Sequence, residues 1–182
     1  KYDTLLEVYF DGQGYAQKDE IAQVRKYHKN PNMWDYFLRT RIAVDRLEDL
    51  LDEKEGNLDK VQMLFADMEE REEAWKELER EGVFELVGSL QYNIEINAAG
   101  VNKGTGLVNL GKMLGIRREE IMACGDGDND IAMLKEVGFG VAMANAEEKV
   151  KAAADYITES NNEEGAAKAI EKFVLKLGGE SC

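Results

Sequence analysis

Histidine occurs once in these 182 residues, at His28, proline once, at Pro31, and cysteine twice, at Cys124 and Cys182. Two distant cysteines without a Cys-x-x-Cys pair exclude a disulfide framework and a zinc knuckle, and a reducing cytoplasm is the compartment expected. Positive charge is also scarce: 23 Lys and Arg stand against 37 Asp and Glu, a formal net charge of −14. A nucleic-acid surface wants clustered Lys and Arg, so no nucleic-acid partner is expected. No apolar run approaches the roughly 18 residues of a membrane span. The opening Lys1-Tyr2-Asp3-Thr4 carries no apolar signal segment, so no membrane partner is expected either. Internal repeats and low-complexity segments are absent.

With 44% hydrophobic and 33% charged residues, the chain has enough apolar surface to bury a core. Its length suits one ordinary domain or two small ones. The second half alternates short helical and strand-like stretches. Leu107, Leu110 and Leu114 recur at helical spacing before Gly115, and the apolar run Ile121 to Cys124 ends at a Gly-Asp turn. Ile131 and Leu134 suggest a helix, 139–143 a strand, 147–153 a short helix and 156–158 a third strand. A last helix carries Ala166, Ile170, Phe173, Val174 and Leu177 on one face. Such alternation predicts a parallel α/β sheet.

Residues 1–100 read as an α+β module with an antiparallel sheet. Expected are a strand at 5–10 turning at 11–14, helix in one or two pieces over 33–54, a strand at 60–66 and a charged helix over 68–81. A hairpin of 84–87 with 92–96 around Gly88-Ser89 completes it. His28, among Arg25, Lys26 and Lys29, is expected to be solvated. Trp34, Tyr36, Phe37 and Trp75 are expected to pack this module, and Cys124 to be a small core residue.

The segment Gly125-Asp126-Gly127-Asp128-Asn129-Asp130 follows a predicted buried strand. Ligands bind at the C-terminal ends of strands in open parallel sheets. Carboxylates this close repel, and the remedies are a bound cation, raised pKa values or full solvation. Mg²⁺ suits the site, since it takes one or two carboxylates and keeps water or phosphate as its other ligands. A solvated turn capping the next helix stays open as the plainer reading. An EF-hand loop fails on count, because Ile131 and Val137 stand where Gly and Glu are needed. A dinucleotide fingerprint fails because Asp130 replaces its third glycine. A second segment, Gly100-Val101-Asn102-Lys103-Gly104-Thr105-Gly106, sets a lysine at a helix start, where ammonium and free N–H groups suit an anion.

Taken with Gly140-Val141-Ala142-Met143-Ala144-Asn145-Ala146 and Ala154-Asp155-Tyr156-Ile157-Thr158, these blocks resemble the Cof-type branch of the haloacid dehalogenase superfamily of magnesium-dependent phosphatases. The resemblance implies an α/β fold: a Rossmannoid parallel sheet, C-terminal part only, over residues 100–182, with an α+β cap over 1–99. It implies hydrolysis of small phosphomonoesters, such as sugar or nucleotide phosphates, with Mg²⁺ as cofactor. Lys103 would neutralise charge on the nucleophile and the transferring phosphoryl group. Asp126 would be a metal ligand, Asp130 a second metal-site acid that holds metal-bound water or orients its neighbours, and Asn129 would lie on the phosphate side.

The family's nucleophile is the first aspartate of an Asp-x-Asp-Gly-Thr motif, which forms an aspartyl-phosphate, and this sequence contains no such motif. The Ser/Thr motif of a second core strand is missing as well. Because the sequence opens at Lys1, the expectation is a chain that enters the family pattern at the cap, with little activity alone. The strand ending at Gly125 would then expose an edge and favour self-association or partial disorder of the second half. The alternative is a degenerate, non-catalytic phosphate-binding or regulatory module.

Overall fold

Two sheets of different construction carry the chain. The computed structural model describes residues 1–176 apart from positions 55 and 57, and the chain divides into two units, Lys1–Gly100 and Val101–Cys182.

In the first unit the strands are β1 (Thr4–Phe10), β2 (Gln13–Gln17), β3 (Ile42–Val44), β4 (Leu58–Phe65), β5 (Phe84–Val87) and β6 (Asn93–Ala98). They form one sheet in the order β3-β2-β1-β4-β6-β5. Every pairing is antiparallel except β2 with β3. The helices are α1 (Lys18–Ala22), α2 (Val24–Tyr27), α3 (Trp34–Thr40), α4 (Leu47–Glu53) and α5 (Met68–Glu81). Successive side chains of a strand point to opposite faces. Leu5 therefore packs with Ala16, Val24, Tyr27, Phe37 and Leu64 on one side, and Val8 and Phe10 pack with Leu47 on the other. The β1–β2 hairpin turns on Asp11 and Gly12, both at positive φ (51° and 74°), the geometry a two-residue hairpin needs.

Two expectations for this unit require correction and one gains a strand. The helical stretch expected over 33–54 comes in two pieces, α3 and α4, and β3 lies between them. Arg41 leaves α3 in an extended conformation (φ −89°, ψ 136°) and pairs with Glu7, which is fully buried on β1. The β-branched Ile42 and Val44 then continue alongside β2. His28 is not solvated but 6% exposed. It packs edge-on to Phe37 and Tyr92, and its Nδ1 lies 3.1 Å from the Tyr92 hydroxyl. Of the aromatics assigned to packing, Phe37 is buried and Trp34 and Trp75 lie against the core, but Tyr36 is largely exposed.

In the second unit, β7 (Met122–Gly125), β8 (Phe139–Ala142) and β9 (Tyr156–Ile157) form a parallel sheet in the order β7-β8-β9. The helices are α6 (Lys103–Leu114), α7 (Ile131–Glu136), α8 (Glu148–Lys151) and α9 (Gly165–Ile170). Leu134, Ala142, Ala146 and Val150 form the buried cluster between them. The predicted face of the last helix requires correction, and a π-helical stretch over Glu171–Leu175 follows α9. The inward face runs instead through Gly165, Ala169 and Phe173 at i, i+4 spacing: Gly165 and Ala169 are buried and Phe173 meets Phe139 and Tyr156, while Ile170 and Val174 face out. Leu177 lies outside the described residues. Cys124 is half-buried on β7, and burial pushes its thiol pKa up. Among the described residues, β7 has a strand partner on one flank alone, and no helix is long and apolar enough to cross a membrane.

Candidate active site at the ends of the parallel strands

The position of Lys103 is set by the residue before it. Asn102 caps α6: its Oδ1 accepts from the N–H groups of Gly104 (2.9 Å) and Thr105 (3.0 Å), while its own N–H donates to Thr105 Oγ1 (3.1 Å). Such a reciprocal cap decides where a helix begins. Lys103 thereby becomes the first helical residue. Gly104 is buried, and a Cβ there would stand 2.9 Å from the Ala132 carbonyl oxygen. This missing side chain lets α6 lie directly on α7.

Asp130 ends the short 3₁₀ turn Asp128–Asp130 between β7 and α7. Gly125 makes room for it, since a Cβ at Gly125 would stand 2.5 Å from the Cβ of Asp130. Lys103 Nζ donates to Asp130 Oδ1 at 2.6 Å, and the N–H groups of Asp126 and Gly127 donate to Oδ2, each at 3.0 Å. Burial disfavours the charged form of Asp130. The Lys103 ammonium and the two N–H groups outweigh it and hold the carboxyl below the usual carboxylate range. Both oxygens of Asp130 are thus engaged by this chain.

Asp126 is exposed. Its Oδ2 accepts from Asn145 Nδ2 at 2.9 Å, and Asn145 Oδ1 accepts from the N–H of Asn161 at 2.9 Å. Asp128 is bound by Lys149 Nζ at 2.5 Å. Asn129 is half-buried, its side chain folded over Gly127. The structure therefore joins Lys103, Asp130 and the backbone of Asp126 in one network, whereas Asn129 is beside it without a side-chain bond to the other three. Asn145 and Lys149 were not singled out from the sequence. Asn145 lies in one of the family-like blocks, but its spacing gives no hint of a contact with Asp126.

Among the described residues, no three His, Cys, Asp or Glu side chains converge as a ready metal cage. The donor set still fits Mg²⁺, a hard cation that takes one or two carboxylates and retains water or phosphate. Asp126 offers an exposed carboxylate that pairs with no Lys or Arg among the described residues, while the oxygens of Asp130 are already committed.

Comparison with known proteins points to one family. A family model described as haloacid dehalogenase-like hydrolase matches residues 4–170. The 5-amino-6-(5-phospho-D-ribitylamino)uracil phosphatase YcsE of Bacillus subtilis is 50% identical over 105 residues, covering 58% of this chain and 42% of that protein. A phosphoglycolate phosphatase of Methanosarcina acetivorans is 43% identical over 81 residues, covering 44% of this chain and 36% of that protein. A solved haloacid dehalogenase-like hydrolase from B. subtilis superposes with a TM-score of 0.76 at 26% identity, covering 94% of this chain and 66% of that one. The chain spans about two fifths of the length of the two curated relatives.

Proposed function

This chain belongs to the haloacid dehalogenase-like hydrolase family, and from that premise we propose that it carries the phosphate- and metal-handling part of a phosphatase for small phosphomonoesters, such as sugar or nucleotide phosphates. The observation that carries the reading is the 2.6 Å contact of Lys103 with Asp130, which joins two motifs at the C-terminal end of β7, where an open parallel sheet binds ligands.

In this reading Lys103 supplies a cation to a phosphoryl oxygen and to the attacking carboxylate. Phosphoryl transfer depends chiefly on positioning and on such charge stabilisation. Asp126 holds Mg²⁺, which when bound polarises the phosphoryl oxygens. Asp130 fixes Lys103 and the 126–127 backbone, and Asn129 lies on the phosphate side. The attacking aspartate belongs to an Asp-x-Asp-Gly-Thr segment that this sequence does not contain, so the chain alone is expected to turn over little substrate. The open flank of β7 is the place where it would self-associate or accept a further strand, and the working compartment is the cytoplasm.

The test is hydrolysis of p-nitrophenyl phosphate with Mg²⁺. The chain alone should be near background, and the protein extended by a segment bearing Asp-x-Asp-Gly-Thr should be active. Removing Lys103 or Asp126 from the active form should cost roughly 10²-fold or more in kcat. Substantial turnover by the unextended chain, abolished by Asp126→Ala, would overturn the expectation of low activity alone. The missing motif also favours a second reading, a non-catalytic phosphate-binding module. Binding of inorganic phosphate by an extended protein that shows no turnover would select it.

A further inference from the structure

The loops that follow the three parallel strands are stitched together at one residue. Met143 donates its N–H to the Gly125 carbonyl at 3.0 Å, and Ala144 donates to the Glu159 carbonyl at 3.3 Å. Next comes Asn145, whose side-chain amide spans the same gap. Its Oδ1 takes the N–H of Asn161 and its Nδ2 reaches Asp126 Oδ2, both at 2.9 Å. The orientation of the amide is not free. A backbone N–H needs an acceptor and a carboxylate needs a donor, so the two neighbours agree on which end faces which.

We infer that Asn145 is a positioning residue for the metal ligand Asp126. It occupies one carboxylate oxygen and so turns the other toward the cation. It also ties that carboxylate to the loop after β9, which otherwise stands outside the site. The inference rests on the reading that Asp126 binds Mg²⁺. Partners that orient a ligating carboxylate typically cost 10–100-fold in metal affinity when removed. Asn145 is exposed, which makes its contribution to the buried core small.

The experiment is Mn²⁺ binding to the full chain, followed by the electron paramagnetic resonance of free Mn²⁺, with thermal unfolding of the metal-free proteins alongside. Asn145→Ala should weaken binding at least tenfold while leaving the metal-free unfolding midpoint close to that of the unchanged protein. In an Asp126→Ala background the same change should have no further effect, because the residue through which it acts is gone. A second variant avoids the side chain altogether. Ser160 is already extended (φ −68°, ψ 166°), and Asn161 opens a 3₁₀ turn, so Asn161→Pro removes the anchoring N–H without bending the chain. It should weaken binding in the same direction by a smaller factor.

Unchanged Mn²⁺ affinity in Asn145→Ala, with binding still lost in Asp126→Ala, overturns the inference and leaves the metal reading standing. Unchanged affinity in Asn161→Pro overturns the tie to the β9 loop. Equal loss from Asn145→Ala in the presence and absence of Asp126 overturns the route through Asp126. No Mn²⁺ binding by the unchanged protein, or binding indifferent to Asp126→Ala, overturns the metal reading and this inference with it.

Discussion

Lys103 and Asp130 stand 27 residues apart in the sequence and 2.6 Å apart in space. The lysine begins one helix and the aspartate immediately precedes another, so their contact records how α6 and α7 pack.

This contact has a titration consequence. Asp130 is held below the usual carboxylate range against the effect of its burial. A depressed carboxyl contributes stability that is present above the ordinary carboxylate range and lost as pH falls through the lowered value. Lys103→Ala should raise the Asp130 pKa, measurable by carboxyl ¹³C titration, since burial persists and the main cation is gone. The stability cost should be about 1 kcal/mol, discounted because Lys103 is half-exposed.

The buried pair of Glu7 and Arg41 makes a larger prediction. Glu7 is fully buried, and Arg41 bonds it while also donating to the Tyr9 hydroxyl (2.9 Å) and Thr40 Oγ1 (2.8 Å). Arg41→Ala strands a buried carboxylate and should destabilise the first unit by about 3–5 kcal/mol in urea unfolding. Glu7→Gln with Arg41→Met should cost much less, since neither charge is then left alone.

His28 should give the first unit a pH-dependent stability of its own. Burial, with Arg41 adding repulsion, lowers its pKa from the ordinary imidazole value. The folded state then binds fewer protons than the unfolded one. Stability is full above the ordinary imidazole range and falls as pH drops toward the lowered value. Thermal midpoints of His28→Gln measured between pH 7 and pH 5 should show a flatter slope than those of the unchanged protein.

Two glycines of α6 should respond in opposite ways. Gly104→Ala sets a methyl against the Ala132 carbonyl and should cost about 1–3 kcal/mol. A methyl group at Gly106 would meet nothing within 4 Å, so Gly106→Ala should stabilise by about 0.5–1 kcal/mol. Chemical denaturation of the two variants checks the sign.

Much of this was readable from residue patterns because the relevant forces are local. The strand expected at 5–10 and found at Thr4–Phe10, the acidic helix ending at Gly82 and the strand–loop–helix around Asp126 each carry their cause in neighbouring residues. What escaped depends on distant partners. β3 is three residues long and exists because Arg41 is drawn to Glu7. His28 sits in a charged string yet is covered by Phe37 and Tyr92, which come from other elements. In the site, charge set among glycines drew attention to the segments of Lys103, Asp126 and Asp130, and the family resemblance of those segments supplied their roles. The bond from Asn145 to Asp126 was legible in neither, because it exists through the convergence of three loops in a parallel sheet.

The one-sided pairing of β7 implies an isotopic signature. In a parallel strand, alternate residues turn both their N–H and their C=O toward the same neighbour. Ile121 accepts from Phe139, which opens β8, and Gly125 from Met143, which follows it; this places Ala123 with them and leaves Met122 and Cys124 facing the other flank. Deuterium uptake along these four residues should therefore alternate, slow at Ala123 and Gly125 and fast at Met122 and Cys124. Anything that comes to lie along that flank would even out the alternation, so two amides report whether the sheet has gained a neighbour.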